Sequence, residues 1–170
     1  ECDWSSDVCS SDLLVTSLAN ICLQHQWRLT TAESCTGGLV AAALTSLAGS
    51  SDWFERGYVT YSNAAKINDI QVPASLIQIH GAVSVEVAHA MAIGSKQSSG
   101  SNISLAITGI AGPTGGSTDK PVGTVCFAWS LPDGLTVTDL KHFDGDRLAI
   151  REQSVTHGLN HLIHLLNNKL

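Results

Sequence analysis

The sequence predicts an α/β fold in which helices cover both faces of one mixed β-sheet. Helical and strand-like runs alternate over the first two thirds of the chain, and three strand-like runs then precede a long amphipathic run. A hydrophobic content of 44% and 15 glycines fit such a fold with tight loops. The length of 170 residues fits one domain with a sizeable core.

Apolar spacing and capping residues predict the helices. Leu14, Leu18 and Ile21 recur at helical spacing within 13–26. Ser62, Ser84 and Asp146 stand where side-chain caps are expected. The predicted helices are 13–26, 36–47, 62–70, 84–96 and 147–167, with a further short turn at 74–79.

Runs rich in β-branched and aromatic residues predict the strands. The sequence Leu-Pro-Asp-Gly at 131–134 predicts a hairpin between the last two. The predicted strands are 27–33, 54–61, 103–108, 122–130 and 135–143.

Residues 1–12 are polar, lack periodicity and resemble translated adapter sequence. The alternative is a natural disordered N-terminus, and in either case this segment stands apart from the single domain predicted at 13–170. No internal repeat or interdomain linker is visible in that domain.

The composition limits the partners. A net charge of −6 argues against non-specific nucleic-acid binding, which depends on clustered Lys and Arg. No apolar run approaches the roughly 20 residues that span a bilayer, so no membrane association is expected. Five cysteines without metal-type spacing favour reduced thiols and a cytoplasmic location.

The segment Thr-Ala-Glu-Ser-Cys-Thr-Gly-Gly at 31–38 reads as strand, tight turn and helix. Such a turn leaves backbone N–H groups unpaired and can hold an anion or a developing oxyanion. Ser34 lies where a nucleophile could use that environment.

A serine nucleophile needs a base, and Tyr61 and Lys66 follow the next strand. Strand ends meet at one edge of an α/β sheet, so both could converge on Ser34, and a Ser–Lys pair is a known variant of Ser–His chemistry. The alternative is an N-cap serine, a packed tyrosine and a solvated lysine. Cys35 is the rival nucleophile or a small buried hydrophobe.

A glycine-rich loop follows the strand 103–108 and could bring backbone N–H groups to a ligand, or be an ordinary connection. It matches neither a Walker A loop nor a dinucleotide-binding fingerprint. Lys120 could meet a phosphate or be solvated. Arg147 could bind an anion through its planar guanidinium, or be solvated or paired with an aspartate.

His157, His161 and His164 form one stripe of the last helix. Their spacing invites a metal interpretation, but no accompanying carboxylate or cysteine pattern supports it. The stripe is therefore predicted to be helix surface, with no metal and no cofactor.

Several long motifs, taken in order, resemble the CinA C-terminal domain family, in the stand-alone form that hydrolyses a nicotinamide nucleotide. The resemblance covers about residues 13–166 and rests on 31–38, 49–66, 80–84, 108–116, 120–125 and 145–147. It implies a three-layer α/β/α sandwich around a mixed, mostly parallel sheet. The nucleotide-processing domain of two-domain members, with its metal-dependent pyrophosphatase activity, is not expected.

The resemblance implies deamidation of nicotinamide mononucleotide to nicotinic acid mononucleotide and ammonia. Ser34 would be the nucleophile, activated by Tyr61 and Lys66, and N–H groups from Cys35 to Gly37 would hold the oxyanion. A homo-oligomer, with a dimer favoured, is also implied. The alternatives are a non-catalytic nucleotide-binding module linked to competence or DNA-damage response, and an amidase for another small amide. The expected substrate contacts are Cys35, Thr36, Gly37, Thr108, Gly109, Gly112, Gly115, Gly116 and Arg147.

Overall fold

The computed structural model describes the backbone of residues 4–169 and the side chains of residues 11–169. Its helices are α1 (Trp4–His25), α2 (Leu39–Thr45), α3 (Asn63–Ile70), α4 (Ala74–His80), α5 (Val85–Ser99) and α6 (Arg147–Asn167). Its strands are β1 (Leu29–Glu33), β2 (Phe54–Val59), β3 (Ile103–Gly109), β4 (Thr124–Ser130) and β5 (Thr136–His142). A short 3₁₀ turn, Ser50–Asp52, precedes β2.

The described strands form one sheet in the order β2-β1-β3-β4-β5. Strand β1 is parallel to both β2 and β3, and β4 is antiparallel to both β3 and β5. The sheet is therefore mixed, as predicted, and four of its five strands point the same way. The carboxyl ends of β1, β2 and β3 meet at one edge.

The two faces of the sheet carry side chains of different size. Large residues such as Ile107, Phe127 and Trp129 cover one face and pack in a core with α1, α2 and α6. Ala106 and Ala128 lie on the other face, where α5 packs against the sheet. Small side chains allow that helix a close approach, and the result is the predicted three-layer α/β/α sandwich.

Capping fixes the helices that flank the sheet edge. The side chains of Ser62, Ser84 and Asp146 accept hydrogen bonds from backbone N–H groups in the first turns of α3, α5 and α6, as predicted. A side chain at Gly94 of α5 would collide with the carbonyl oxygen of Ile70 in α3. The absence of a side chain there lets α3, which carries Lys66, pack closely on α5.

Some element boundaries differ from prediction. Helix α1 begins at Trp4 instead of residue 13, so residues 4–12 belong to the helix. Whether that segment is adapter sequence or a natural N-terminus stays a prediction. Strand β2 ends at Val59, which leaves Tyr61 beyond the strand. The predicted turn at 74–79 is the helix α4. No helix among the described residues is long and apolar enough to cross a membrane.

Candidate active site

Ser34 directly follows the carboxyl end of β1. Its backbone N–H donates to the carbonyl of Ile107 at 2.9 Å, which extends the pairing with β3 beyond the strand. On the other side, the N–H of Thr60 donates to the carbonyl of Glu33 at 2.9 Å. Ser34 is not the N-cap of α2, because Gly38 occupies that position. The backbone thus holds the Ser34 hydroxyl at the sheet edge, with the residue 8% exposed.

Lys66 approaches Ser34 from α3. Its Nζ lies 3.0 Å from Ser34 Oγ, 2.8 Å from the carbonyl oxygen of Thr60 and 3.2 Å from that of Tyr61. The lysine is 1% exposed, so the alternative of a solvated side chain is wrong. The structure brings together the serine and lysine that the sequence suggested as nucleophile and base.

Burial lowers the pKa of the Lys66 ammonium to about 8, because the charged form loses its hydration. The charged form has three N–H donors for three oxygen neighbours. The neutral amine has two, which suffice for the carbonyls of Thr60 and Tyr61 and leave the nitrogen lone pair for the hydroxyl of Ser34. This arrangement suits a lysine that removes a proton from the serine.

Tyr61 takes a different place from the one expected of an activating side chain. It contacts Lys66 through its backbone carbonyl, while its phenol oxygen accepts a hydrogen bond of 3.2 Å from Arg147 Nη2. The residue is 60% exposed, because β2 ends before it and the side chain is not held in the sheet. No hydrogen bond between described residues joins the phenol to Ser34 or to the amine of Lys66.

The turn from Cys35 to Gly38 offers oxyanion donors. The N–H of Gly37 donates to the carbonyl of Ser34 at 3.0 Å, so the expectation that it is free for an oxyanion is wrong. The N–H groups of Cys35 and Thr36 donate to no other described residue, and the Cys35 N–H contacts its own thiol. Gly37 and Gly38 have φ values of 58° and 105°, a left-handed conformation that glycine adopts without strain. Two backbone donors next to the serine therefore remain available.

Glu33 was not among the predicted site residues. Its carboxylate is buried and accepts hydrogen bonds from the backbone N–H groups of Val40 at 2.9 Å and Ala41 at 3.1 Å. The protein's own carboxylate thus occupies the N-terminus of α2, a position that favours a negative charge. In the sequence, the one indication of this contact is an acidic residue directly before the turn.

Cys35 is a packing residue. Its thiol is buried, and Sγ lies 3.0 Å from the position that a Cβ would take at Gly109. Burial raises the pKa of the thiol to about 12, so it stays protonated at neutral pH. The alternative of a small buried hydrophobe fits, and the rival nucleophile does not.

The glycine-rich loop meets the site through Gly112, whose carbonyl accepts a hydrogen bond of 2.8 Å from Arg147 Nη1. Thr108 is buried, and its hydroxyl donates to the carbonyl of Ala82 at 2.9 Å. Gly109 pairs with Val125 of β4 in the sheet. Thr108 and Gly109 therefore have structural partners of their own, and substrate contact by either residue stays a prediction.

The remaining glycines shape this loop. Gly115 has a φ of 94°, in the left-handed region. A Cβ at Gly116 would lie 2.7 Å from the backbone nitrogen of Val122. Both glycines therefore allow the loop to fold tightly, and substrate contact by either stays a prediction.

Two arginines on α6 border a cleft of about 650 Å³. Arg147 joins the phenol of Tyr61 to the loop carbonyl of Gly112. Arg151 lies one turn later and donates from Nε to the carbonyl of Cys35 at 3.1 Å and from Nη2 to that of Thr36 at 3.2 Å. Arg151 was not among the predicted site residues, although its i, i+4 spacing from Arg147 places both on one helix face. The cleft is lined by Ala111, Pro113, Val122, Gly145, Asp146, Arg147, Leu148 and Arg151.

Lys120 and the histidine stripe lie outside this cleft. Lys120 Nζ donates to the carbonyl of His80 at 2.6 Å. His157 lies 3.0 Å from the Asp139 carboxylate, and its ring packs edge-on against Phe127. The stripe is therefore only partly surface, because α6 lies over the face of the sheet that carries large residues. The described residues contain no group of three or more side chains able to hold a metal.

The model of the CinA C-terminal domain family matches residues 12–166. The chain belongs to the CinA C-terminal domain family. It is 49% identical over 156 residues to the nicotinamide-nucleotide amidohydrolase PncC of Pseudomonas putida, a match that covers 89% of this chain and 96% of that protein. It is 50% identical over 133 residues to the PncC protein of Enterobacter agglomerans, covering 78% and 81% of the two chains.

Solved structures from this family share the fold. A competence damage-inducible protein A from Klebsiella pneumoniae superposes with a TM-score of 0.89 at 39% identity, covering 92% of this chain and 97% of the other. A competence/damage inducible protein from Agrobacterium tumefaciens gives a TM-score of 0.89 at 40% identity, covering 93% and 96%. The three-layer architecture is thus the architecture of the family.

Proposed function

We propose that this chain hydrolyses the carboxamide of nicotinamide mononucleotide to nicotinic acid mononucleotide and ammonia, with Ser34 as the nucleophile. The observation that carries the proposal is the buried amine of Lys66, 3.0 Å from Ser34 Oγ. The relatives named nicotinamide-nucleotide amidohydrolase support amide hydrolysis and suggest the substrate. The reaction would proceed through an acyl-enzyme.

In the first half of the reaction, the neutral amine of Lys66 takes the hydroxyl proton of Ser34, and Oγ forms a bond to the carboxamide carbon. The carbonyl electron pair moves onto oxygen. The N–H groups of Cys35 and Thr36 hold this oxyanion, and one such donor typically contributes about 10²–10³ in rate. The Lys66 ammonium then gives its proton to the leaving nitrogen, the C–N bond breaks, and ammonia departs.

In the second half, water attacks the acyl carbon while Lys66 accepts one of its protons. The tetrahedral intermediate collapses, the bond to Oγ breaks, and Lys66 returns the proton to Ser34. The carboxylic acid leaves, and the enzyme is restored without net gain or loss of protons at either residue. One amine therefore serves as base and acid in both halves.

The cleft lined by Arg147 and Arg151 would hold the nucleotide part, since Arg151 joins it to the turn that follows Ser34. Its volume of about 650 Å³ lies in the range of roughly 300–1,000 Å³ that small-molecule sites occupy. Arg147 places a guanidinium on its wall, which suits a phosphate although the protein carries a net charge of −6. Glycines 112, 115 and 116 shape the facing loop. Dimerisation and a cytoplasmic location stay predictions.

The decisive experiment measures ammonia release from nicotinamide mononucleotide by the parent, Ser34→Ala and Lys66→Met. The matched controls are Ser51→Ala and Lys141→Met, at exposed positions outside the site. We expect the parent and controls to turn over and both site variants to lose at least about 10³-fold in rate.

Other outcomes reassign the function. A parent that binds the nucleotide without releasing ammonia would favour the non-catalytic module linked to competence or DNA damage. Ammonia release from a different small amide, with none from nicotinamide mononucleotide, would support the serine mechanism and contradict the proposed substrate. Full activity in Ser34→Ala would show that Ser34 is not the nucleophile.

A further inference from the structure

The turn that follows Ser34, residues 34–38, is here called the serine turn. The N–H groups of Cys35 and Thr36 in it each belong to a peptide unit whose carbonyl accepts a hydrogen bond. The peptide that carries the Cys35 N–H has its carbonyl on Ser34, which accepts from the N–H of Gly37 at 3.0 Å. The peptide that carries the Thr36 N–H has its carbonyl on Cys35, which accepts from Arg151 Nε at 3.1 Å. A backbone contact fixes the first peptide, and a side chain from α6 fixes the second.

A peptide bond is planar and trans, so its N–H and C=O groups point in opposite directions. A contact that fixes the carbonyl of Cys35 therefore also fixes the direction of the Thr36 N–H. A charged donor on the carbonyl additionally polarises the peptide, which makes its N–H a stronger donor. Both effects favour a negative oxygen bound on the side opposite Arg151.

We infer that Arg151 is a positioning residue for the oxyanion site: its guanidinium orients and polarises the Cys35–Thr36 peptide so that the Thr36 N–H faces the developing oxyanion. The inference rests on the proposed serine mechanism. It gives Arg151 a role distinct from that of Arg147, whose contacts are with Tyr61 and Gly112.

The geometry suits a guanidinium better than an ammonium. Arg151 Nη2 also donates to the carbonyl of Thr36 at 3.2 Å, so one planar group holds two successive carbonyls. A Cβ at Gly37 would lie only 3.3 Å from this nitrogen, and glycine there keeps the approach open. Lysine could hold one of the two carbonyls but not both in a fixed plane.

The competing role for Arg151 is a direct contact with substrate phosphate, since it lines the cleft. The two roles predict different kinetics. Loss of a phosphate contact weakens binding of substrate and product, whereas loss of oxyanion positioning slows the chemical steps. A substrate without phosphate is affected only in the second case.

The experiment compares the parent with Arg151→Ala and Arg151→Lys, and with Arg56→Lys as a control at an exposed arginine of β2. Three quantities are measured: kcat and KM for nicotinamide mononucleotide, Kd for nicotinic acid mononucleotide, and the rate at which p-nitrophenyl acetate acetylates Ser34. Thermal midpoints test whether each variant is folded.

We expect Arg151→Ala to lower kcat and the acetylation rate together by about 10²-fold, with KM and Kd changed by less than about threefold. Arg151→Lys should lose less, and the control should match the parent. If Arg151→Ala does not fold, Arg151→Lys is compared with the parent in the same three quantities.

A tenfold rise in KM and Kd with unchanged acetylation would overturn the inference and make Arg151 a phosphate ligand. Unchanged kcat and acetylation would also overturn it, as would a parent whose Ser34 is not acetylated. If the parent acetylates Ser34 but leaves nicotinamide mononucleotide intact, the substrate proposal fails. A slower acetylation of Arg151→Ala would then still support the positioning role.

Discussion

The carboxylate of Glu33 accepts a 2.9 Å hydrogen bond from the backbone N–H of Val40. Its second oxygen accepts a 3.1 Å bond from the N–H of Ala41. Glu33 directly precedes Ser34, so the same carboxylate that satisfies the first turn of α2 also anchors the start of the serine turn. The turn is thus held at Glu33 and at Arg151, before and after the nucleophile.

Glu33→Gln tests this anchor. The amide keeps the size of the side chain but loses the charge and turns one acceptor into a donor that faces a backbone N–H. We expect a loss of about 1–3 kcal/mol in the free energy of unfolding, measured by urea denaturation at pH 7. Glu152→Gln, at an exposed position of α6, is the control. Equal stability of the two variants would show that the carboxylate is not needed.

The activity should depend on the protonation of Lys66. Its pKa is lowered to about 8, and only the neutral amine can act as base. We therefore expect kcat/KM to rise about tenfold per pH unit below pH 8 and to level off above it, measured with nicotinamide mononucleotide between pH 5.5 and 9.5. A profile that is flat from pH 6 to 9 would contradict the lysine base.

The stability contributed by Lys66 should also change with pH, in a different window. The pKa is about 8 in the folded protein and 10.5 for an ordinary lysine. Between these values the unfolded chain binds more protons at this site, so stability must rise with pH; below pH 8 the buried charge is disfavoured in full. The parent should therefore gain stability relative to Lys66→Met from pH 8 to pH 10.5. Urea denaturation of both proteins at several pH values checks the sign, and a constant difference would refute it.

Cys35→Ala removes the thiol of this residue but keeps its backbone N–H group. The thiol is buried and protonated at neutral pH, whereas the proposed contribution to catalysis is the N–H of the same residue. We expect kcat within about fivefold of the parent and a loss of roughly 1–2 kcal/mol in stability from the smaller side chain against Gly109. Loss of activity by more than about 10²-fold in a folded variant would reinstate Cys35 as the nucleophile.

Tyr61→Phe removes the phenol oxygen but keeps the backbone carbonyl that contacts Lys66. Because the phenol contacts Arg147, we expect KM for nicotinamide mononucleotide to rise a few-fold while kcat stays within about threefold. Steady-state ammonia release measures both. A collapse of kcat with unchanged KM would mean that the phenol itself assists proton transfer, as the family resemblance first suggested.

The sequence predicted those parts of the molecule that local patterns control. The strands, the caps Ser62, Ser84 and Asp146, and the position of Ser34 after a strand follow from periodicity and capping chemistry. The order of elements then indicated which strand ends meet, and it made contact between Lys66 and Ser34 one of two predicted arrangements, beside a solvated lysine. These features depend on residues close in sequence or on general rules of sheet topology.

The features that the sequence did not predict depend on where side chains point after packing. Arg151 reaches the carbonyl of Cys35 across 116 positions of the chain, and no local pattern encodes that contact. Tyr61 turns outward because β2 ends two residues before it. The anion site expected at α2 is filled by Glu33, since the turn brings the carboxylate back onto the helix.

The proposed nucleophile follows a strand in the middle of the sheet, whereas its proposed base lies on a short helix with few buried side chains. Ser34 follows a central strand, paired on both sides, whereas Lys66 lies on α3, an eight-residue helix whose buried side chains are Lys66 and Ile70. Short elements with few buried side chains open locally at a free-energy cost well below that of global unfolding, and their amide protons exchange with solvent when they open. Opening of α3 alone would separate the amine from the serine while the sheet stayed intact. Moderate denaturant should therefore inactivate this protein before its sheet unfolds, and the amides of α3 should exchange ahead of those of β1 and β3.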